Sequence, residues 1–139
     1  MKKTLAILLA LSPVAFVGCV PMTDNRILAT GSQVELRQIQ SRSYDTADKA
    51  LVMRSVLSTL QDLGFIVDKA DETIGTISAT QFTDIEPIKM TVSVRVTGKQ
   101  TIVRANAQYG LNAIEDPKPY QNFFNSLSQS LFLSENKVD

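Results

Sequence analysis

The sequence predicts an α+β fold, an antiparallel sheet of about five strands with two helices packed on one face. Two observations carry this prediction. From Ile88 to Thr97 apolar and polar residues alternate, and after Gly98-Lys99 the alternation returns from Thr101 to Tyr109. A period of two marks half-buried strands, and Gly98-Lys99 suits a tight hairpin turn with Gly first. Two other stretches repeat apolar residues at helical spacing. They are Met53, Val56, Leu57, Leu60, Leu63 and, later, Tyr120, Phe123, Phe124, Leu127, Leu131. The expected order is β-α-β-β-β-β-α in a single domain over residues 33–139.

Before that domain comes a segment read as an address. Lys2 and Lys3 precede an apolar run from Thr4 to Val17. The run is shorter than the roughly 20 apolar residues a spanning helix needs, and Pro13 would break such a helix. It matches the apolar region of a secretory signal, expected over residues 1–18. Residues 19–32 then read as a tether with little periodicity, containing Pro21, Asp24, Asn25, Thr30, Gly31 and Ser32. Ile27 and Leu28 are its apolar exception, expected to pack on the domain or to serve as a partner segment.

The elements of the domain follow in order. Val34 to Tyr44 reads as a first strand, with a bulge near Gln38 where its alternation fails. Asp45 is the expected N-cap of the first helix, and Asp48 lies in its first turn, where both carboxylates meet the positive end of the dipole. Gly64 suits the residue after the cap, with Phe65 folding back on Leu60 as in a Schellman motif. Phe65 to Val67 makes a short strand and residues 68–72 a polar turn. Thr73 to Phe82 is the next strand, where Gly75 marks a bulge or a close helix approach. Residues 83–87 form a loop before the hairpin. Ile88, Met90, Val92, Val94 and Val96 point inward from one strand, and Val103, Ala105, Ala107 and Tyr109 from its partner. Residues 110–115 read as a loop. Asp116-Pro117 is an N-cap with Pro at the first helical position, where its missing N–H costs nothing. The tail frays from Ser134.

The opposite sheet face would carry Thr91, Ser93, Arg95, Arg104, Asn106 and Gln108. These six are the candidate partner face. Arg95 and Arg104, as cross-strand neighbours, could meet a phosphate, a lipid headgroup or an acidic patch, or could be an ordinary solvated surface. Tyr120, Phe123 and Phe124 are expected in the core, the alternative being a ligand groove between helix and sheet. Asp45 and Asp48 read as caps, and Asp68, Asp71 and Glu72 as a solvated turn without calcium-loop spacing.

Composition narrows the function classes. The chain has 139 residues, equal numbers of acidic and basic side chains, one Cys, no His and no Trp. Without His there is no imidazole base or ligand. One Cys cannot build a disulfide framework or a Cys-rich zinc site. Balanced charge provides no basic footprint for nucleic acid. No nucleotide-binding or nucleophile-elbow motif occurs. The expectation is a non-enzymatic protein with no metal, no nucleic acid and no cofactor.

Two resemblances sharpen this. Phe16-Val17-Gly18-Cys19 resembles the lipobox of bacterial lipoproteins, with Phe16 in place of the usual Leu. The resemblance implies cleavage between Gly18 and Cys19, a diacylglyceryl group on the Cys19 thiol and an acyl chain on its new amine. Each buried CH₂ contributes about 0.8 kcal/mol, so several chains anchor firmly. Val20 stands where such lipoproteins carry Asp for inner-membrane retention, which implies the outer membrane of a Gram-negative cell, periplasmic side. Loss of Lys2 and Lys3 leaves two more acidic than basic side chains, so attachment is expected through lipid rather than a polybasic patch. Second, Leu60-Gln61-Asp62-Leu63-Gly64-Phe65, then Val67-Asp68-Lys69-Ala70-Asp71, then Gly75-Thr76-Ile77-Ser78-Ala79 resembles the helix-grip domain in the C subunit of the bacterial β-barrel assembly machine. That resemblance covers roughly residues 34–133 and implies a shared fold and no catalytic residue. Together they imply an accessory or scaffold subunit of an envelope complex (barrel assembly, efflux or secretion). The alternative is a small-molecule or lipid-binding module.

Overall fold

The computed structural model describes residues 26–136, with side chains from residue 33. The signal segment, Gly18, Cys19 and the first part of the tether lie outside the described residues, as do the side chains of Ile27 and Leu28. The elements run α1 (Arg26–Ile39), β1 (Ser41–Tyr44), α2 (Lys49–Asp62), β2 (Ile66–Asp71), β3 (Thr76–Gln81), β4 (Ile88–Thr97), β5 (Gln100–Tyr109), β6 (Asn112–Ala113) and α3 (Pro117–Glu135). The fold is α+β. Its six-stranded antiparallel sheet has the order β1-β5-β4-β3-β2, and β6 also pairs with β5. Among the described residues no helix is long and apolar enough to cross a membrane.

The hairpin β4–β5 forms where its alternation places it. The pairing runs from Thr97 opposite Gln100 to Ile88 opposite Tyr109. Gly98, at φ +62°, takes the left-handed conformation that the turn requires. Met90, Val92 and Val94 meet Val103, Ala105 and Ala107 on the buried face, with Ile77 and Ala79 beside them on β3. Helices α2 and α3 cover this face. Val52, Val56 and Leu60 from α2 pack with Tyr120, Phe123, Phe124 and Leu127 from α3, all essentially without solvent exposure. Burying one such aliphatic or Phe side chain stabilises the fold by about 1.5–3 kcal/mol.

The end of α2 takes the expected form. Phe65 N–H donates to Leu60 O and Gly64 N–H to Gln61 O, both at 2.9 Å, with Gly64 at φ +82°. These two bonds define a Schellman cap. At the other end, Asp116 caps α3 by accepting from Lys118 N at 2.9 Å. Gly75, at φ +80°, lies against the Val94 carbonyl and the Lys49 side chain, so the close approach foreseen there comes from strand and helix together.

Several expectations are corrected. The segment read as a strand from Val34 is helical through Ile39, and only Ser41–Tyr44 pairs with the sheet. Leu36 and Ile39, three apart, pack on the core while Val34 stays exposed, so helical spacing overrides the short alternation. The same helix covers residues 26–32, which read as tether. The N-cap of α2 is Asp48, whose carboxylate accepts from Leu51 N at 2.9 Å. Asp45 instead accepts from Gln100 Nε2 at 2.7 Å. Residues 68–71 are strand rather than turn, because β2 tolerates an extra residue at Asp68, where the register shifts between Val67 and Lys69. The loop after β5 contains the two-residue β6. Helix α3 continues through Glu135, one residue past the expected fraying point. The described residues therefore carry three helices and six strands, in the order α-β-α-β-β-β-β-β-α.

Candidate functional site

The six candidate face residues share the outer surface of the β4–β5 ladder. Thr91 lies opposite Asn106, Ser93 opposite Arg104, and Arg95 opposite Ile102. Arg95 and Arg104 are thus cross-strand neighbours on a diagonal of the ladder. Arg104 also has Ser41 of β1 on its other side. Its Nε is buried and, among the described residues, has no hydrogen-bond partner.

This face is concave. A trough of about 480 Å³ is lined by Thr91, Asn106 and Gln108 together with Gln40, Asp68, Ser78, Thr80, Lys89 and Ala113. The structure therefore brings three of the six predicted residues into one depression and leaves Ser93, Arg95 and Arg104 along the sheet beyond it. Two local features shape the walls. On one side, the extra residue of β2 turns the Asp68 carboxylate toward Thr80, whose hydroxyl donates to it at 2.7 Å. On the other, Gln40 Nε2 donates to the Tyr120 hydroxyl at 3.2 Å. That hydroxyl donates to Ile114 O at 2.7 Å and accepts from Ala107 N–H at 3.2 Å. One phenol thus joins α3, β5, the residue after β6 and the junction of α1 with β1.

The trough offers amides, hydroxyls, one ammonium and one carboxylate. Such a lining exchanges hydrogen bonds with a polar main chain or side chains and has no aromatic platform. Arg95 and Arg104 add two positive charges beside it. Among the described residues no group of three or more His, Cys, Asp or Glu is placed to hold a metal ion. Asp71 accepts from Ile74 N at 2.9 Å, shaping the β2–β3 turn.

The space between helices and sheet is filled. Tyr120, Phe123 and Phe124 are core residues. The Phe123 and Phe124 rings meet edge to face at 5.1 Å and 67°, a favoured aromatic geometry. The Arg42 guanidinium lies 5.1 Å from the Phe124 ring centre, a cation–π distance. Next to it, burial raises the Tyr44 pKa above its ordinary value, opposed by the hydrogen bond with Ser128 and by the Arg42 charge. A shallower opening of about 310 Å³ lies at the end of this layer, between Leu63, Phe65, Ile88, Pro119 and Asn122.

A further surface was not singled out from the sequence. Phe82, Ile85, Leu111 and Ile66 are all largely exposed. A signal was present, because Ile85 and Leu111 stand among Asp, Glu, Pro and Gly in segments read as loops. No family model matches the chain, and no curated protein matches it.

Proposed function

We propose that this chain is a lipid-anchored lipoprotein that faces the periplasm from the outer membrane and serves as an accessory or scaffold subunit of an envelope complex. The observation that carries the proposal is the position of its single Cys. Cys19 directly follows a Lys2-Lys3 start, an apolar run and Gly18. A thiol there is the acceptor that lipid attachment needs. The working part of the scaffold is the outer sheet face, where the polar trough and the adjacent Arg95 and Arg104 offer hydrogen bonds and positive charge to a protein partner. No residue is assigned a catalytic role, and no cofactor is involved beyond the covalent lipid. The domain is read as helix-grip-like, with α2 and α3 gripping one face of the sheet. The filled core supports a scaffold over a carrier of apolar ligands. Two openings between helix and sheet support the ligand reading, one of about 310 Å³ beside Pro119 and one of about 370 Å³ between Tyr44 of β1 and Leu131 of α3.

The test is a membrane pull-down from cells with wild type beside Cys19→Ser, and with Arg95→Glu combined with Arg104→Glu. Envelope proteins that accompany the wild type and vanish with Cys19→Ser support anchoring as the basis of assembly. Their loss with the double arginine variant assigns the contact to the Arg95 and Arg104 part of the outer face, and their retention would remove the two arginines from the contact. A protein recovered alone, with a co-purifying lipid or small molecule, would favour the carrier reading.

A further inference from the structure

One end of the sheet is apolar at its surface. Ile85 is 85 % exposed, Leu111 97 %, Phe82 72 % and Ile66 60 %. Phe82 and Ile85 stand where β3 passes to β4, Ile66 begins β2 and Leu111 follows β5, all at the same end of the sheet. Ile66 lies opposite Thr80, Gln81 opposite Ile88, and Ile88 opposite Tyr109. The β3–β4 loop touches the turn after β5, since Gly110 N–H donates to Pro87 O at 3.4 Å and the Glu86 carboxylate lies against Gly110. The four side chains therefore crown one end of the domain instead of being scattered over it. Soluble domains seldom leave a group of large apolar side chains this open without a use for it.

The anchored chain enters the domain at this same end. Leu36 and Ile39, in the last turn of α1, share a cleft with Glu115 and Pro117, which follow β6 and begin α3. Gln40 is then tied to Tyr120, in the first turn of α3. A chain fixed to lipid at Cys19 has at most 20 residues before Gln40, and α1 is a helix, so about 45 Å is the longest reach.

We propose that this apolar end docks on the bilayer that holds the protein, with Ile85, Leu111 and Phe82 seated among the lipid headgroups. The choice of lipid as occupant rests on the lipoprotein reading, because it is the anchor that puts a bilayer at this end of the chain. Charge sets the character of the contact. The segments at this end carry Asp84 and Glu86 between β3 and β4 and Glu115 and Asp116 between β6 and α3, against Lys89 and Lys118. Anionic lipid does not attract such a surface, so docking proceeds by apolar burial and does not weaken as salt is raised.

The absence of Trp makes the test direct. Ile85→Trp, Leu111→Trp and Phe82→Trp each place one fluorophore at the apolar end. Ile74→Trp places one at a residue that is 70 % exposed in the β2–β3 turn, toward the other end of the sheet. Each full-length protein, processed by the cell and extracted in mild detergent, is reconstituted into phosphatidylethanolamine–phosphatidylglycerol vesicles with brominated acyl chains. Interfacial apolar groups sit roughly 5–10 Å into the boundary, within reach of quenching. The expected result is a blue-shifted emission and loss of more than half the intensity at positions 85 and 111, unchanged at high salt. Ile74→Trp keeps the emission of a solvated indole. Solvated emission at all positions overturns the inference and leaves a protein as the occupant of that end. Equal quenching at position 74 overturns it too, because the contact would have no orientation. The intact mass of each protein reports separately whether Cys19 carries lipid. An unmodified Cys19 refutes the lipoprotein reading, while quenching at the tips on added vesicles would still stand on its own.

Discussion

Replacing Tyr120 by Phe removes one oxygen and leaves the ring in place. The change opens no cavity, so its cost isolates the hydrogen bonds that the phenol makes. Three partners lose it at once: Ile114 O, Ala107 N–H and Gln40 Nε2. They do not lose equally. The Gln40 amide is buried but ends a rotatable side chain, which can re-aim toward the trough it lines, whereas a strand N–H cannot move. Ala107 is only 4 % exposed, and its N–H is stranded at a cost of about 1–3 kcal/mol. The Ile114 carbonyl is half-buried and forfeits an ordinary bond of about 0.5–1.5 kcal/mol. Tyr120→Phe is therefore expected to lose about 2–4 kcal/mol, which in a domain of this size lowers Tm by roughly 10–20 °C. Tyr44→Phe is the control. Its half-buried hydroxyl shares a hydrogen bond with Ser128 Oγ at 3.3 Å beside the Arg42 guanidinium, and Ser128 keeps its own bond to Phe124 O, so about 0.5–1 kcal/mol is at stake. Urea and thermal unfolding of both variants decide the matter. Equal small losses would show that the Tyr120 phenol does not tie the trough wall to α3.

The remaining expectations concern local geometry and pH. Gly75→Ala and Gly98→Ala both force a side chain into positive φ, a cost of about 1–2 kcal/mol. Only at Gly75 would the new Cβ also meet the Val94 carbonyl, with Lys49 Cε at 2.9 Å, while nothing lies within 4 Å at Gly98. Gly75→Ala should thus destabilise clearly more in urea titration, and equal losses would contradict the close approach. Asp48→Ala should cost about 1 kcal/mol as a lost N-cap, and Asp45→Ala less, since its bond to Gln100 is exposed. Tyr44 has a folded pKa above its ordinary 10.0. Its neutral form is thus the one that the fold favours. The stability it contributes is complete below pH 10 and is lost as pH rises through the folded value. The difference in unfolding free energy between wild type and Tyr44→Phe should shrink above pH 10, and a constant difference would contradict the burial argument.

Legibility in the sequence follows the length of each pattern. β4 and β5 carry ten residues each, enough for alternation to decide both strand and facing. Hence all six candidate face residues were assigned to the correct side. Helices α2 and α3 show their stripes over three turns or more, and Gly64 fixes an end by its backbone freedom. The failures are short or tertiary in origin. Val34, Leu36 and Ile39 fit a strand with a bulge as well as a helix, and only packing against the core decides between them. Asp45 and Asp48 are chemically alike, and the pairing of Tyr44 with Thr101 delays the helix start. The depth of the trough was not readable at all. It depends on one extra residue at Asp68 and on a two-residue strand, both set by neighbours distant in sequence. The apolar end was readable in part, since Ile85 and Leu111 sit in polar loops, but their meeting at one end needs the sheet register.

The polar trough and the apolar end impose a joint condition on any partner. β4 spans about 30 Å at the usual rise of a strand from Ile88, beside the apolar end, to Thr97 at the hairpin. With that end on lipid, the strands stand up from the bilayer and the outer face turns sideways to it. The trough lies in the membrane-near half, where Lys89, Gln108 and Ala113 follow directly on the apolar tips. Arg104 and then Arg95 lie farther out. If the apolar end docks as proposed, a partner that fills the trough would reach it close to the lipid, as a membrane-embedded or membrane-anchored protein would. A free periplasmic protein would meet Arg95 and Arg104 first. The two arrangements separate experimentally. Lys89→Glu with Gln108→Glu should abolish capture of a membrane partner while sparing one that binds at the arginines, and Arg95→Glu with Arg104→Glu should do the reverse. Loss of the same partner in both variants would mean that trough and arginines form one continuous contact.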